Sequence, residues 1–171
     1  MALGEDVNAI GRWLANNSPG FLEISNDVKV GMSYYVMVWS LFDYRFLHAS
    51  GRLIDVQGII ESRDFSELDA QDLMPHFEYF RRRYLDGRKR NHHLDLLVWN
   101  DYQSGDHIAS YLAQIDPTHR EIAGALLLIS YRLRCNLVHG SKWESGLADQ
   151  YDNFSHATKA MMTLMDYLNN P

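Results

Sequence analysis

The stretch "PTHREIAGALLLISYRLRCNLVHG" (residues 117–140) decides the fold. Asp116 is a plausible N-cap, Pro117 suits the first helical position and Glu121 suits the first turn, so the sequence predicts a helix over 117–139 that ends at Gly140. Its middle is apolar on every side. A helix without a polar face needs neighbours all round, which makes this the central helix of a bundle.

The rest of the chain also favours helices. Apolar residues recur at helical spacing, with Asn26 as a candidate N-cap and Gly51 as a candidate stop, while "DGRKRN" (residues 86–91) is expected to be a loop. The predicted helices span residues 5–16, 26–48, 56–63, 70–85, 93–99, 107–115 and 148–168. With no repeat and no linker, residues 1–171 are expected to form one all-α domain, an antiparallel bundle with additional short helices.

Composition restricts the possible functions. The chain has 171 residues, a formal net charge of −6 and a single cysteine, Cys135. Net negative charge argues against a protein that coats nucleic acid through charge alone, and one cysteine cannot form an internal disulfide. The sequence has neither a basic, apolar signal peptide nor a long uncharged run. These features favour a cytoplasmic protein without a membrane segment.

The end of the central stretch carries polar groups that need explaining. Cations in a last helical turn, such as Arg132, Arg134 and His139, interact favourably with the helix dipole, but this does not explain Asn136. On a regular helix His139 shares a face with Arg132 and Asn136, whereas Arg134 lies roughly 140° away. Arg134 and His139 can therefore converge only if the helix loosens, or if a second copy of the chain supplies one of them.

The segment "RCNLVHGSK" (residues 134–142) resembles the signature of the HEPN superfamily, the higher eukaryotes and prokaryotes nucleotide-binding domains. That signature is an arginine followed after four to six residues by a histidine, near the end of a core helix. The matching positions are Arg134, Asn136, Leu137, His139, Gly140 and Lys142.

The resemblance implies a metal-independent endoribonuclease that acts as a homodimer, with the site at the interface and without a cofactor. It also suggests a toxin or antiviral-defence effector, with an antitoxin or another partner protein. RNA supplies its own nucleophile, the 2′-hydroxyl, so His139 would transfer protons and Arg134 would hold the phosphate, with Asn136 in support. Arg132 and Lys142 would contact the RNA backbone. The expected products are a 2′,3′-cyclic phosphate and a 5′-hydroxyl.

Two alternatives stay open. Cys135 stands where a small polar residue is common in the family, which permits a non-catalytic helical module that binds RNA or protein. Family spacing favours Arg134 as the catalytic arginine, whereas helix geometry favours Arg132.

Two further groups of residues suggest binding sites. The run "RRRYLDGRKR" (residues 81–90) offers Arg88, Lys89 and Arg90 as RNA contacts, although such runs are usually solvated surface. His92 and His93 point to different faces of a helix and lack further ligands at suitable spacing, so no metal site is predicted.

Overall fold

A computed structural model describes residues 3–18, 20–138 and 148–169. These residues form an all-α bundle, as the sequence predicts, together with one very small hairpin that was not predicted. The elements are α1 (Leu3–Asn17), α2 (Asn26–Phe46), α3 (Leu53–Ser62), α4 (Met74–Tyr84), β1 (Leu85–Asp86), β2 (Lys89–Arg90), α5 (His92–Val98), α6 (Tyr102–Leu112), α7 (His119–Val138) and α8 (Tyr151–Asn169). Short 3-10 turns at Phe21–Glu23 and Ala148–Gln150 precede α2 and α8.

The central position of α7 is confirmed. Every residue from Ile122 to Ser130 is buried, and α7 packs against α3, α4, α5, α6 and α8. The close approach of α6 depends on Gly124, where a Cβ atom would lie 2.8 Å from the ring of Tyr111. The apolar middle of α7 is therefore the surface against which the other helices pack.

Helix α2 packs lengthwise on α8 and divides its aromatic residues between two faces. Tyr35, Trp39 and Phe42 are buried, whereas Tyr34 and Tyr44 are exposed. The hydroxyl of Tyr35 donates a hydrogen bond to the carbonyl of Ser130 on α7, and burial raises the pKa of Tyr35 well above its usual value. This bond ties α2 to the part of α7 that precedes the arginine motif.

Helix boundaries differ from the predictions where side-chain caps decide them. Ser25, rather than Asn26, caps α2, because its hydroxyl accepts a hydrogen bond from the Val28 amide. Helix α7 begins at His119, two residues after the predicted Pro117, and the Thr118 and Glu121 side chains exchange hydrogen bonds with each other's backbone amides. That reciprocal capping box replaces the predicted cap at Asp116.

Other segments also depart from the predictions. Helix α6 begins at Tyr102, five residues before the predicted residue 107, because Asp101 caps it. Helix α4 starts at Met74 rather than at residue 70, with Pro75 in its first turn. The predicted loop after α4 contains a hairpin that pairs Leu85 with Arg90 around Gly87, whose φ is 65°. Glycine adopts this left-handed conformation without the steric cost that a Cβ atom brings.

Among the residues that the structure describes, no helix is both long and apolar enough to cross a membrane.

Candidate functional site

Arg134 lies in the last turns of α7, partly exposed, with its guanidinium group against the loop that follows α2. That loop is sharply bent, since His48, Ala49 and Gly51 all have φ between 53° and 57°. A Cβ atom on Gly51 would lie 3.1 Å from Arg134 Nη2 and 3.7 Å from Asp43 Oδ2. The missing side chain of Gly51 therefore leaves room for the Arg134 guanidinium beside this loop.

Asp43 fixes the loop from the helix side. Its Oδ1 accepts a hydrogen bond from the Gly51 amide at 2.9 Å, so the carboxylate anchors the backbone on which Arg134 rests. Neither Asp43 nor the role of Gly51 follows from the motif, because they lie more than 80 residues earlier in the chain. The only sequence signal at this place was Gly51 itself, predicted as a helix stop.

Arg132 points to the opposite side of α7. Its Nη2 donates to the carbonyl of Val98 at 2.7 Å, at the end of α5, and its Nη1 contacts Asp101 Oδ2 at 3.1 Å. Asp101 also caps α6 by accepting from the Ser104 amide. Because the Arg132 side chain is only 13% exposed, its contacts serve the packing of α5 and α6 on α7.

Asn136 is buried as well. Its side-chain amide donates to the carbonyl of Leu97 at 2.8 Å, the residue next to the one that Arg132 holds. This interaction explains why a poor helix former occupies a position in the core: it satisfies a carbonyl at the carboxyl end of α5. The catalytic role expected for Asn136 stays a prediction, and the geometry gives the side chain a positioning function.

The two remaining motif residues, His139 and Lys142, lie outside the described residues, as does Gly140. The described chain of α7 ends at Val138, immediately before the histidine. Around Arg134 the neighbours are buried Cys135, whose Sγ lies 4.0 Å from Arg134 Nη1, and Tyr131. Burial, with a further contribution from a hydrogen bond with Cys135, raises the pKa of Tyr131 to about 12, so its hydroxyl stays protonated at neutral pH.

The three predicted RNA contacts in the basic run differ in whether they already form ion pairs within the protein. Arg90 is held by Asp95 Oδ1 at 2.7 Å and Asp106 Oδ1 at 2.9 Å, and its guanidinium packs against Gly105. Arg88 and Lys89, in contrast, are exposed at the hairpin. The hairpin adjoins the start of α5, whereas Arg132 and Asn136 bond to the end of α5. The length of α5, about 10 Å, therefore separates the hairpin from the motif.

A separate polar cluster joins α4 to α8. His76 Nδ1 and His156 Nδ1 lie 2.8 Å apart, and the ring of His156 stacks on Tyr79 with centroids 4.0 Å apart. Burial and the neighbouring His156 lower the pKa of His76 to about 4, and burial lowers the pKa of His156 as well. The pair is therefore neutral at pH 7, with one ring donating to the other.

Within residues 3–18, 20–138 and 148–169, no group of three or more histidine, cysteine or acidic side chains is arranged to hold a metal ion. Comparison of the chain with protein-family models, with curated proteins and with solved structures finds no match.

Proposed function

We propose that the chain is a metal-independent endoribonuclease, acting as a homodimer, that cleaves RNA through the ribose 2′-hydroxyl. The observation that supports this best is the position of Arg134. Its guanidinium is partly exposed and lies against the bent loop at Gly51, while Arg132 is used for packing. The structural contacts thus favour Arg134, which the family spacing also favours, as the arginine that binds phosphate.

The proposed chemistry follows from the residue types. His139 accepts the proton of the 2′-hydroxyl as this oxygen attacks the phosphorus atom, and the 5′-oxygen leaves with a proton. Arg134 stabilises the negative charge on the non-bridging oxygens of the phosphorane through parallel N–H donors. A second copy of the chain would supply a second histidine for the leaving oxygen. The products are a 2′,3′-cyclic phosphate and a 5′-hydroxyl.

The other polar residues have supporting roles in this proposal. Asn136 and Arg132 hold the end of α5 against α7 and so keep the segment that carries Arg134 in place. Arg88 and Lys89 contact the RNA backbone beyond the site, together with Lys142. An acidic protein needs such a local basic patch to attract a polyanion.

Comparing two arginine variants tests the proposal. Arg134→Gln is expected to keep a melting temperature close to that of the wild type and to lose at least about 100-fold in cleavage rate, because it removes the charge while leaving the buried core unchanged. Arg132→Gln is expected to lower the melting temperature while the folded protein still cleaves RNA. Cleavage by Arg134→Gln at the wild-type rate would exclude the proposed role of the arginine.

A second candidate, a non-catalytic helical module that binds RNA or protein, is favoured by one observation. Two of the polar residues of the motif segment, Arg132 and Asn136, make packing contacts that a catalytic role does not require. Such a module would bind RNA without producing new ends. Incubation of labelled RNA with purified protein in EDTA distinguishes the two, because the enzyme yields cyclic-phosphate ends and the module yields intact RNA.

A further inference from the structure

The side of α2 that faces away from the core is apolar along most of its length. Val30, Tyr34, Met37, Leu41 and Tyr44 are exposed by 51%, 61%, 64%, 40% and 74%, respectively. We call this row the α2 stripe. Its spacing alternates between four and three residues, which is the pattern of a helix that packs lengthwise against another helix.

The α2 stripe is large enough to matter energetically. With about 200 Å² for a whole tyrosine side chain, its five residues expose on the order of 600 Å². Met162 and Tyr151 of α8 extend the apolar surface across a groove of about 660 Å³ beside α2. The stripe therefore provides about three quarters of the roughly 800 Å² that a stable interface buries on each partner, and it lies at the upper end of the apolar patches found on monomeric proteins.

We infer that the α2 stripe binds the α2 stripe of a second copy of this chain, with the two helices antiparallel and Met37 at the two-fold axis. In that register Met37 meets its own copy, Tyr34 lies opposite Leu41, and Val30 lies opposite Tyr44. The apolar layers then match to within one residue, because Val30 and Tyr44 lie seven residues on either side of Met37, and Tyr34 and Leu41 lie three and four residues from it.

Charge favours the antiparallel direction. Asp27 precedes the stripe, and Arg45 and His48 stand at its other end, all three exposed. Antiparallel pairing brings the carboxylate of each copy to the basic end of the other, and it also opposes the two helix dipoles favourably. Parallel pairing would place Asp27 beside Asp27 and Arg45 beside Arg45.

Helix α1 is the competing occupant within the chain, since Val7, Ile10 and Trp13 are exposed by 61% to 66%. Those residues span about 9 Å of helix, whereas the α2 stripe spans about 21 Å. Helix α1 would therefore leave more than half of the stripe exposed. A second α2 covers it entirely.

This inference names the partner surface that the proposed ribonuclease requires, and so it rests in part on that function. Leu137 packs at the amino-terminal end of α2, and Arg134 lies beside Asp43 near its carboxyl-terminal end. Both ends of α2 therefore lie near the last turns of α7, which carry the motif. The stripe itself, however, is tested without RNA.

Sedimentation velocity of the full chain provides the test. We expect the wild type to be a dimer and Met37→Glu to be a monomer, with a dissociation constant raised at least about 100-fold, because two carboxylates would meet at the axis. Ile54→Glu is the matched control, since Ile54 lies on α3 and is exposed by 63%. It should remain dimeric, and circular dichroism should show equal helix content in all three proteins.

Cysteine cross-linking tests the register. Met37→Cys should form a disulfide-linked dimer, and a mixture of Tyr34→Cys with Leu41→Cys should cross-link more than either variant alone. A monomeric wild type, a dimeric Met37→Glu, or an Ile10→Cys/Met37→Cys double variant that cross-links within one chain would overturn the inference. If the wild type cleaves RNA but dimerises through another surface, the inference fails while the proposed function stands.

Discussion

Replacing Gly51 by alanine tests how Arg134 is positioned. Gly51 has a φ of 57°, where an alanine costs about 1–2 kcal/mol, and the new Cβ atom would lie 3.1 Å from Arg134 Nη2. At that distance the guanidinium must shift by a few tenths of an ångström. We expect the protein to stay folded, with a melting temperature lowered by about 2–8 °C.

The same substitution should affect cleavage much more than its effect on stability implies. A small displacement of a group that binds the transition state costs roughly 10- to 100-fold in rate. Gly20→Ala is the matched control, because Gly20 has a φ of 76° and its added Cβ would meet nothing closer than Glu23 Oε2 at 4.0 Å. It should show a similar loss of stability and an unchanged single-turnover cleavage rate.

Thermal unfolding and single-turnover cleavage of a labelled RNA, measured on both variants at a temperature where both are folded, give the comparison. Equal cleavage rates for Gly51→Ala and Gly20→Ala would refute the reasoning that the loop at Gly51 holds a catalytic arginine. A large rate loss in Gly51→Ala alone would support it.

Three further predictions concern the surroundings of the site. Arg132→Ala removes two charged hydrogen bonds, one to the Asp101 carboxylate and one to the Val98 carbonyl, so urea unfolding should show a loss of about 1.5–3 kcal/mol; a loss below 0.5 kcal/mol would contradict the packing role. The pKa of His76, about 4, lies below the 6.5 of an unfolded histidine, so the unfolded chain binds the proton at a higher pH than the folded chain does. The free energy of unfolding should therefore decrease as the pH is lowered from about 6.5 to about 4. Because the ring is only half-buried, this loss is on the order of 1 kcal/mol, and His76→Phe should remove it; an equal pH dependence in both proteins would count against the histidine pair. Charge reversal of Arg88 and Lys89 to glutamate should weaken RNA binding and reduce the slope of log affinity against log salt by about 1.4, whereas an unchanged slope in filter binding would show that the hairpin does not touch RNA.

Much of the fold could be predicted from local patterns. The apolar run from Ile122 to Ile129 identified the central helix, because no helical face was left for solvent. Helix starts were less predictable, since neighbouring residues compete for the cap: Ser25 took the place expected for Asn26, and Thr118 the place expected for Asp116. Such competition depends on details of backbone geometry that periodicity does not record.

The site was less predictable because its contacts are distant in sequence. The motif identified Arg134 and Asn136 as special, but the partner of Asn136 is the carbonyl of Leu97, 39 residues earlier. Likewise, nothing in the spacing of the two arginines indicates that Arg132 holds α5 while Arg134 rests on Gly51. Asp43 carries no local signal at all, since its role arises only when the loop after α2 folds back.

The exposed row on α2 shows a different limit. The structure divides the aromatic residues of α2 between two faces, with Trp39 buried and Tyr34 exposed. Both faces of the helix are apolar, so periodicity cannot identify the face that packs within the chain. Only the positions of α7 and α8 decide this.

The most direct measurement of the central claim is cleavage of a labelled RNA in EDTA by the wild type and by His139→Ala, with the ends of the products analysed by mass spectrometry. We predict that the wild type yields 2′,3′-cyclic phosphate and 5′-hydroxyl ends, and that His139→Ala is slower by roughly 100-fold or more. Equal rates for the two proteins, or products with 3′-hydroxyl and 5′-phosphate ends, would contradict the account.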